Sequence, residues 1–257
     1  MKLLTLARDL RRRKARHRQQ RFIAEGVRTV ESLLDSSLTV TGVLVTTALR
    51  SDPRGAALFD RILARELSLQ DVTDFELESA SDTESPQGVL AIAEIPERTL
   101  IAPPSDARYL ILDALQDPGN VGTVIRTAAA LGVTATIALP GTVDLWNAKV
   151  VRSTMGATFS HLALSATWET LTSFLDAHGI PCWAADTHGV VLDDTNRLAL
   201  PARLALVVGN EGAGISAGIA ERAQQRVAIR MTSGVESLNV AVATGILLHA
   251  LRPARPL

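Results

Sequence analysis

Residues 204–251 constrain the fold more than any other part of the chain, because two short apolar runs there each end in a polar loop. The runs, at 204–208 and 227–231, are rich in β-branched residues and too short for typical helices, so they predict strands. The longer apolar segment at 238–251 predicts a helix. Ligands of parallel α/β proteins bind beyond the carboxyl ends of the strands. We therefore expect a binding site at the loops that follow the two strands.

The same alternation of strands and helices extends back to residue 108. Strands separated by helices predict a mostly parallel sheet that is covered on both faces. Thr187 is expected just beyond the end of one of these strands. The predicted strands are 109–112, 134–139, 161–164 and 181–186, the predicted helices are 121–131 and 168–178, and a helical or irregular excursion covers 144–155.

The part of the chain before this region predicts a smaller α/β domain of about a hundred residues. Short strands are predicted at 22–26, 40–46 and 88–95. Asp52 followed by Pro53 is typical of a helix start, with an N-cap and a first-turn proline. Nothing in this domain suggests catalytic chemistry. The inward face of the helix after Pro53 would carry Leu58, Ile62, Leu63 and Leu67.

Residues 96–106 contain three of the eleven prolines, which predicts a domain boundary there. The expected organisation is a first domain at 1–97, a linker at 98–106 and a second domain at 107–257.

Composition restricts the class of protein. With 47% hydrophobic and 21% charged residues, the chain is typical of a globular protein rather than a disordered one. The single cysteine, Cys182, excludes a disulfide framework and a cysteine-rich metal cluster. The N-terminus lacks the continuous apolar core of a signal peptide, and the segment 238–251 is too short to span a membrane. We therefore expect a cytoplasmic protein that does not bind a membrane.

A cluster of basic residues lies close to the N-terminus, and no acidic residue follows Asp9 within it. Most charge runs are only the solvated face of a helix. A cluster without interleaved acids instead favours a polyanionic partner, RNA or DNA. The cluster consists of Arg11, Arg12, Arg13, Lys14, Arg16, Arg18 and Arg21.

Two familiar motifs, of dinucleotide-binding proteins and of hydrolases, match the sequence in letters but not in their position relative to the predicted strands. Residues 212–217 fit a loose G-x-G-x-x-A dinucleotide fingerprint, but the next strand ends at Met231 without the acidic residue that this fingerprint requires. Residues 214–218 spell G-x-S-x-G, yet Ser216 lies too far beyond the preceding strand for a nucleophile elbow. Cys182, inside an apolar run, is predicted to be a buried small hydrophobe. No pair of His or Cys has metal-ligand spacing, so no metal site is expected.

Three polar loops remain as candidate functional sites. Each also has a structural explanation, since residues 117–120 form a good turn, glycines supply positive φ, and Ser237 and Asn239 can cap a helix. Their common position at the strand ends of one sheet favours function. The loops contain Asp117, Asn120 and Arg126; Gly209, Asn210, Glu211 and Gly214; and Ser233, Gly234, Ser237 and Asn239.

Three motifs make the chain similar to a known family. Residues 112–126, 208–216 and 229–243 resemble, in order and separation, the motifs of the SpoU (TrmH-type) branch of SPOUT methyltransferases. The resemblance covers residues 108–252. The basic residues ahead of 22–26 are similar to the start of an L30e-like RNA-binding domain that often precedes this catalytic domain.

The resemblance implies methylation of a ribose 2′-hydroxyl in RNA with S-adenosylmethionine as the methyl donor. The preferred substrate is 23S ribosomal RNA, and transfer RNA is the alternative. A parallel sheet with a deep trefoil knot and a homodimer with the last helix in its interface are also implied. The family's active-site positions match Asn120, Arg126, Glu211, Ser237 and Asn239. The positions near the cofactor are Thr187, Gly209, Asn210, Gly214, Ile229 and Leu238.

Arg126 matches the proposed catalytic residue of the family. Guanidinium groups keep their proton throughout the physiological pH range. Arg126 is therefore better suited to bind the target phosphate and stabilise a developing alkoxide than to act as a general base. Glu211 could orient Arg126 or Asn120.

Two other functions are alternatives to RNA methylation. One is an RNA-binding protein of the same fold without catalysis. The other is a nucleotide-dependent oxidoreductase, which the misplaced dinucleotide fingerprint opposes.

Overall fold

Helices and strands alternate along the chain in the computed structural model, which describes residues 2–83, 85–192, 200–210, 212–232 and 237–252. Within these ranges, every helix is too short or too polar to cross a lipid bilayer. The helices are α1 Leu3–Leu10, α2 Arg13–Gln19, α3 Val27–Leu34, α4 Pro53–Ala64, α5 Asp74–Ala80, α6 Pro118–Ala130, α7 Ala148–Ser153, α8 Trp168–Ala177, α9 Ala217–Arg222 and α10 Val240–Ala250. The strands are β1 Arg21–Glu25, β2 Val40–Val45, β3 Leu69–Asp71, β4 Val89–Glu94, β5 Arg108–Asp113, β6 Ala135–Ala138, β7 Ala163–Ser165, β8 Cys182–Val191, β9 Leu204–Gly209 and β10 Gln225–Ala228.

The chain forms two compact units. The first contains Met1–Glu97 and Trp146–Ser160, and the second contains Arg98–Leu145 and His161–Leu257. Residues 146–160 follow the predicted domain boundary in sequence, yet they pack on the first unit. The rings of Trp146 and Phe22 lie 4.5 Å apart between centroids, and both side chains are buried. Burial of these large aromatic rings explains why the segment belongs to the first unit.

The first unit is built on a mixed four-stranded sheet of order β1-β4-β2-β3. β4 is antiparallel to both of its neighbours, whereas β3 is parallel to β2. The strands predicted at 22–26, 40–46 and 88–95 are confirmed as β1, β2 and β4. The expectation of a small α/β domain at the N-terminus therefore holds.

Helix α4 begins where Asp52 and Pro53 predict. The Asp52 carboxylate accepts hydrogen bonds from two backbone N–H groups of the first turn, at 2.9 and 3.2 Å. Leu58 and Ile62 are buried as predicted, but Leu63 is 51% exposed, so its expected inward position is wrong. Successive helical residues are rotated by about 100° around the axis, which turns Leu63 away from the buried stripe.

The second unit contains a six-stranded sheet of order β10-β8-β9-β5-β6-β7 in which all neighbouring strands are parallel. The predicted parallel α/β architecture is confirmed. Ile111 of β5 and Val207 of β9 are fully buried in its core, together with Leu171 of α8. In the register of β5 and β9, Asp113 is the partner of Gly209, so the two strands end side by side. The trefoil knot stays a prediction of the family resemblance.

Strand β8 is longer than expected and contains a bulge. It continues to Val191 instead of ending at residue 186, so Thr187 lies within the strand rather than beyond it. Its pairing with β10 skips residues 185–189. Such a bulge carries residues out of the regular ladder and tolerates polar side chains. The polar residues of this bulge are therefore typical of a loop when only the sequence is considered.

Candidate active site

A cleft of about 650 Å³ lies in the second unit, where β8, β9 and β10 meet the beginning of α10. Its volume is typical of sites for small-molecule ligands. The region at the ends of parallel strands is also where such ligands bind. The lining includes all six positions that the family resemblance places near the cofactor, which are Thr187, Gly209, Asn210, Gly214, Ile229 and Leu238.

The loop after β9 folds back closely on the end of that strand. Asn210 and Gly214 exchange two backbone hydrogen bonds, of 3.0 and 2.9 Å. A Cβ atom at Gly209 would lie 2.3 Å from the carbonyl oxygen of Gly214, which is far inside van der Waals contact. Gly214 itself has a φ of +70°. Glycine is thus needed at position 209 for close approach and at position 214 for its backbone conformation.

The side chain of Asn210 organises this loop. Its Oδ1 atom accepts hydrogen bonds from the backbone N–H groups of Gly212 at 2.9 Å and Ala213 at 3.1 Å. Its Nδ2 atom donates to the carbonyl oxygen of Ala114 at 3.1 Å. Asn210 therefore shapes one wall of the cleft through contacts with the protein's own backbone.

Asp113 is a buried residue of this region that the sequence reasoning missed. It ends β5 and is only 4% exposed. Its Oδ2 atom accepts hydrogen bonds from both the backbone N–H and the hydroxyl of Ser216, each at 2.7 Å. The serine of the rejected G-x-S-x-G motif thus has a structural partner. The available signal was an acidic residue directly after the apolar run 109–112.

Asn239 joins the first turns of α10 and α6. It is the N-cap of α10, and its Oδ1 atom accepts hydrogen bonds from Ala241 at 2.9 Å and Val242 at 3.3 Å. Its Nδ2 atom donates to Oδ1 of Asn120 at 3.0 Å. Two predicted active-site residues are therefore in contact, and helix capping is one role of Asn239. Ser237, two residues earlier, lines the cleft.

Arg126 lies on the exposed face of α6, and no other described residue forms a hydrogen bond or an ion pair with it. The same helix is capped by Asp117, whose carboxylate accepts a hydrogen bond from the backbone N–H of Asn120 at 2.7 Å. Neither Arg126 nor Asn120 is among the described residues that line the cleft. Three of the candidate positions, Glu211, Ser233 and Gly234, lie outside the described residues.

A charged pair forms part of the cleft wall. Asp186 Oδ2 lies 3.1 Å from a guanidinium nitrogen of Arg226. The hydrogen bond that Asp186 accepts from the backbone N–H of His188 lowers the pKa of its carboxyl group, and the positive charge of Arg226 acts in the same direction. The carboxylate thus remains charged well below neutral pH.

Two other titratable groups of the second unit are buried outside the cleft lining. Burial raises the pKa of the Cys182 thiol to about 11, so the thiol is protonated and unreactive, and the expected buried hydrophobe is confirmed. Burial, with a contribution from the charge of Arg98, lowers the pKa of His161 to about 4. The His161 Nε2 atom lies 2.8 Å from the hydroxyl of Thr136. No group of three or more described His, Cys, Asp or Glu residues could hold a metal ion.

Arg16 does not belong to the expected RNA-binding surface of the first unit. It is only 3% exposed, and its guanidinium donates to the carbonyl oxygens of Leu10 at 2.9 Å and Arg11 at 2.8 Å. These carbonyls lie at the end of α1, where backbone acceptors lack partners within the helix. The assignment of Arg16 to the RNA surface is therefore wrong, because its charge satisfies this helix end.

Acidic neighbours neutralise part of the remaining basic cluster. Asp9 forms ion pairs with both Arg12 and Arg18, and Arg11 pairs with Asp82 at 3.2 Å. Pairs this exposed are weak, worth about 0–1 kcal/mol, so phosphates can compete for these arginines. The cluster members without an acidic partner among the described residues are Arg13, Lys14 and Arg21.

Two family models match the chain. The model of the SpoU rRNA Methylase family matches residues 107–249, which is more than half of the chain and contains the cleft. The model of the MRM3-like substrate binding domain matches residues 5–91, within the first unit.

Relatives of known function and structure resemble the chain over nearly its whole length. The 23S rRNA (guanosine(2553)-2′-O)-methyltransferase RlmP of Bacillus subtilis is 32% identical over 95% of this chain and 93% of its own. An AdoMet-bound rRNA methyltransferase from Sinorhizobium meliloti has a TM-score of 0.81 at 28% identity, covering 97% of this chain and 93% of its own. The SpoU methyltransferase AviRb from Streptomyces viridochromogenes, solved with AdoMet, has a TM-score of 0.83 at 26% identity, covering 96% of each chain. The family resemblance of the three motifs is thus confirmed, and the chain belongs to the SpoU rRNA methylase family.

Proposed function

We propose that this protein transfers a methyl group from S-adenosylmethionine to a ribose 2′-hydroxyl of 23S ribosomal RNA. One observation carries the proposal: the six positions near the expected methyl donor line a single cleft beside the ends of parallel strands. The Bacillus relative is a 23S rRNA 2′-O-methyltransferase by name, and the Sinorhizobium relative is described with AdoMet bound. Both support the same chemistry for this member of the family. The oxidoreductase hypothesis is wrong for a chain of this family.

The cleft fits S-adenosylmethionine in size and in chemistry. At about 650 Å³ it lies within the range of cofactor sites. The backbone at Gly214 can approach a ribose or a purine closely, because the position of its missing Cβ atom is open. Ile229 and Leu238 offer apolar surface in the same cleft. The cofactor supplies an activated methyl group on a sulfonium, so the chemistry itself requires no metal.

The protein must hold the 2′-hydroxyl in line with the methyl group and accept its proton. Arg126 is exposed, and its permanently charged guanidinium can bind the target phosphate and stabilise negative charge on the reacting oxygen. Asn120, held by the side chain of Asn239, and Ser237 offer hydrogen-bonding groups to the ribose. Glu211 has the role of orienting Arg126 in this proposal.

Recognition of the RNA is assigned to the first unit, part of which matches a substrate binding domain. Arg13 and Lys14 are exposed and Arg21 partly so, and they supply charge for phosphate contacts. A 2′-hydroxyl at the target distinguishes RNA from DNA. The first unit would therefore provide affinity and shape recognition, and the second unit the reaction.

A homodimer is part of this proposal. Val242 and Ile246 lie four residues apart on α10 and are 52% and 44% exposed. They therefore share one apolar helix face, which favours association in water. We infer that α10 forms the dimer interface and that both subunits contribute to each site. Sedimentation should show a dimer that is lost in Val242→Asp/Ile246→Asp, whereas a monomeric wild-type protein would contradict this part.

Methyl-transfer assays separate the proposal from its alternatives. The protein is incubated with methyl-labelled S-adenosylmethionine and either unmodified 23S rRNA or unmodified tRNA. Label in rRNA is the expected result. Label in tRNA alone would show that the substrate is transfer RNA instead of ribosomal RNA. Calorimetric titration with S-adenosylmethionine is run in parallel. A folded protein that binds RNA but not this cofactor would be a non-catalytic member of the fold.

A further inference from the structure

A buried carboxylate and an asparagine attach Asn210 and residues 212–216, which follow β9, to the end of β5. At one end of the loop, Ser216 donates two hydrogen bonds of 2.7 Å to Asp113. At the other end, Asn210 donates to the carbonyl oxygen of Ala114 at 3.1 Å. Asp113, the last residue of β5, and Ala114, which follows it, therefore bond to the two ends of a segment that lines the cleft.

The strength of this attachment follows from the burial of Asp113. A buried carboxylate is costly unless its oxygens accept hydrogen bonds. Both donors come from Ser216, and hydrogen bonds to a charged acceptor are stronger than neutral ones. The loop is also packed tightly against Gly209. The carbonyl oxygen of Gly214 lies 2.3 Å from the position that a Cβ atom of residue 209 would occupy. Displacement of Ser216 therefore has to change the cleft wall.

The same two residues lead into the segment that carries the predicted catalytic side chains. Ala114 has a φ of +56°, an unusual conformation for a residue with a side chain. The chain then reaches Asp117, the N-cap of α6, and this helix contains Asn120 and Arg126. The connection after β5 thus links the cleft wall to the start of α6.

We propose that Asp113 is a positioning residue for the methyl donor: it fixes residues 212–216 so that the cleft is preformed. The inference rests on the proposed function, since it concerns affinity for S-adenosylmethionine. Asp113 touches neither cofactor nor RNA in this role and acts through Ser216.

Substitution of Asp113 and Ser216 in the full-length protein tests the role. Asp113→Ala should weaken binding of S-adenosylmethionine by about tenfold or more in calorimetry, because both bonds to a charged acceptor are lost. Asp113→Asn retains one acceptor oxygen and should restore part of the affinity. Ser216→Ala loses only the hydroxyl bond and should weaken binding by roughly threefold. In steady-state assays the KM for the cofactor should rise while the KM for RNA stays unchanged.

Matched controls separate positioning from general stability. Asp60→Ala removes an exposed carboxylate of α4, and Ser173→Ala removes a hydroxyl that donates to the carbonyl oxygen of Glu169 within α8. Both controls should bind the cofactor like the wild type. A folded Asp113→Ala protein with wild-type affinity would overturn the inference. If that variant does not fold, unchanged affinity in Ser216→Ala would overturn it. A wild-type protein that binds no S-adenosylmethionine would instead refute the proposed function, and the inference with it.

Discussion

Arg126 carries a permanent charge on an exposed helix face, without a partner among the described residues. If it stabilises the developing charge on the 2′-oxygen, Arg126→Ala should lower kcat by roughly 10²–10³-fold, as loss of such a donor does elsewhere. The Kd for S-adenosylmethionine should stay unchanged, because Arg126 is not among the described residues of the cleft lining. Single-turnover methyl transfer and calorimetry measure the two quantities.

Two variants serve as controls for this prediction. Arg126→Lys keeps the charge but loses the planar fork of donors, so it should recover only part of the activity. Arg222→Ala removes an arginine of α9 that pairs with Asp176, and it should leave turnover unchanged. If Arg126→Ala has the same turnover as the wild type, Arg126 has no role in catalysis.

His161 should make the stability of the protein depend on pH. Burial and the charge of Arg98 lower its folded-state pKa from 6.5 to about 4. Between these values the unfolded chain binds a proton that the folded protein does not. The free energy of unfolding should therefore fall as the pH decreases from 6.5 towards 4, with roughly 3 kcal/mol as the full contribution of this group.

Urea unfolding of the wild type and of His161→Gln at pH 7 and pH 4.5 measures this contribution. The variant should lose less stability between the two pH values, since glutamine does not titrate. Other groups titrate equally in both proteins and cancel in the comparison. Equal losses would show that His161 does not control the pH dependence.

Among the elements, the turn after β9 depends most strictly on one residue. Gly209→Ala would place a Cβ atom 2.3 Å from the carbonyl oxygen of Gly214, so the loop must move. We expect a loss of about 1–3 kcal/mol of stability and a clear loss of affinity for S-adenosylmethionine. Gly218→Ala is the matched control, because a Cβ atom there meets nothing within 4 Å. Wild-type melting temperature and cofactor affinity in Gly209→Ala would contradict the prediction.

Local sequence patterns predict most helices and strands correctly. They do not predict features that depend on contacts with residues far away in the sequence. The strands of the parallel sheet and the capped start of α4 follow from hydrophobic runs and from Asp52 with Pro53. The extension of β8 to Val191 depends on a bulge against β10, which its polar sequence does not reveal. Packing of Trp146 on Phe22 joins positions far apart in the chain, so no local pattern predicts it.

For the molecule as a whole, the basic surface of the first unit should control RNA affinity. Changing Arg13, Lys14 and Arg21 together to alanine should weaken RNA binding at low salt. Each lost phosphate contact should also reduce the slope of log affinity against log salt by about 0.7–0.9. Filter binding or fluorescence anisotropy at several salt concentrations measures both effects.

A charge-matched control separates these contacts from the effect of net charge. Arg50, Arg61 and Arg222 each pair with an aspartate, and their joint replacement by alanine removes the same formal charge. This control should keep most of the RNA affinity and of the salt slope. Equal losses of RNA affinity in both triple variants would show that the basic cluster is only a solvated surface and does not contact RNA.

Part of the cleft lining could be predicted from the sequence, but the long-range hydrogen bonds that hold the site together could not. The family resemblance selected six positions near the cofactor, and all six are among the residues that line the cleft. The partnership of Asp113 with Ser216 spans 103 positions, and a pattern within one strand does not encode it. Counting charges likewise cannot show that Arg16 bonds to the carbonyls at the end of α1. Long-range hydrogen bonds and burial decide these cases.

The position of the transferred methyl group tests the central claim most directly. A ribose methylated at the 2′-oxygen cannot attack the adjacent phosphate, so its linkage resists alkaline hydrolysis. After incubation of unmodified 23S rRNA with the protein and S-adenosylmethionine, we expect a new alkali-resistant linkage that is absent with Arg126→Ala. Methyl groups on a base, or no resistant linkage in the presence of bound cofactor, would contradict the assignment as a ribose 2′-O-methyltransferase of ribosomal RNA.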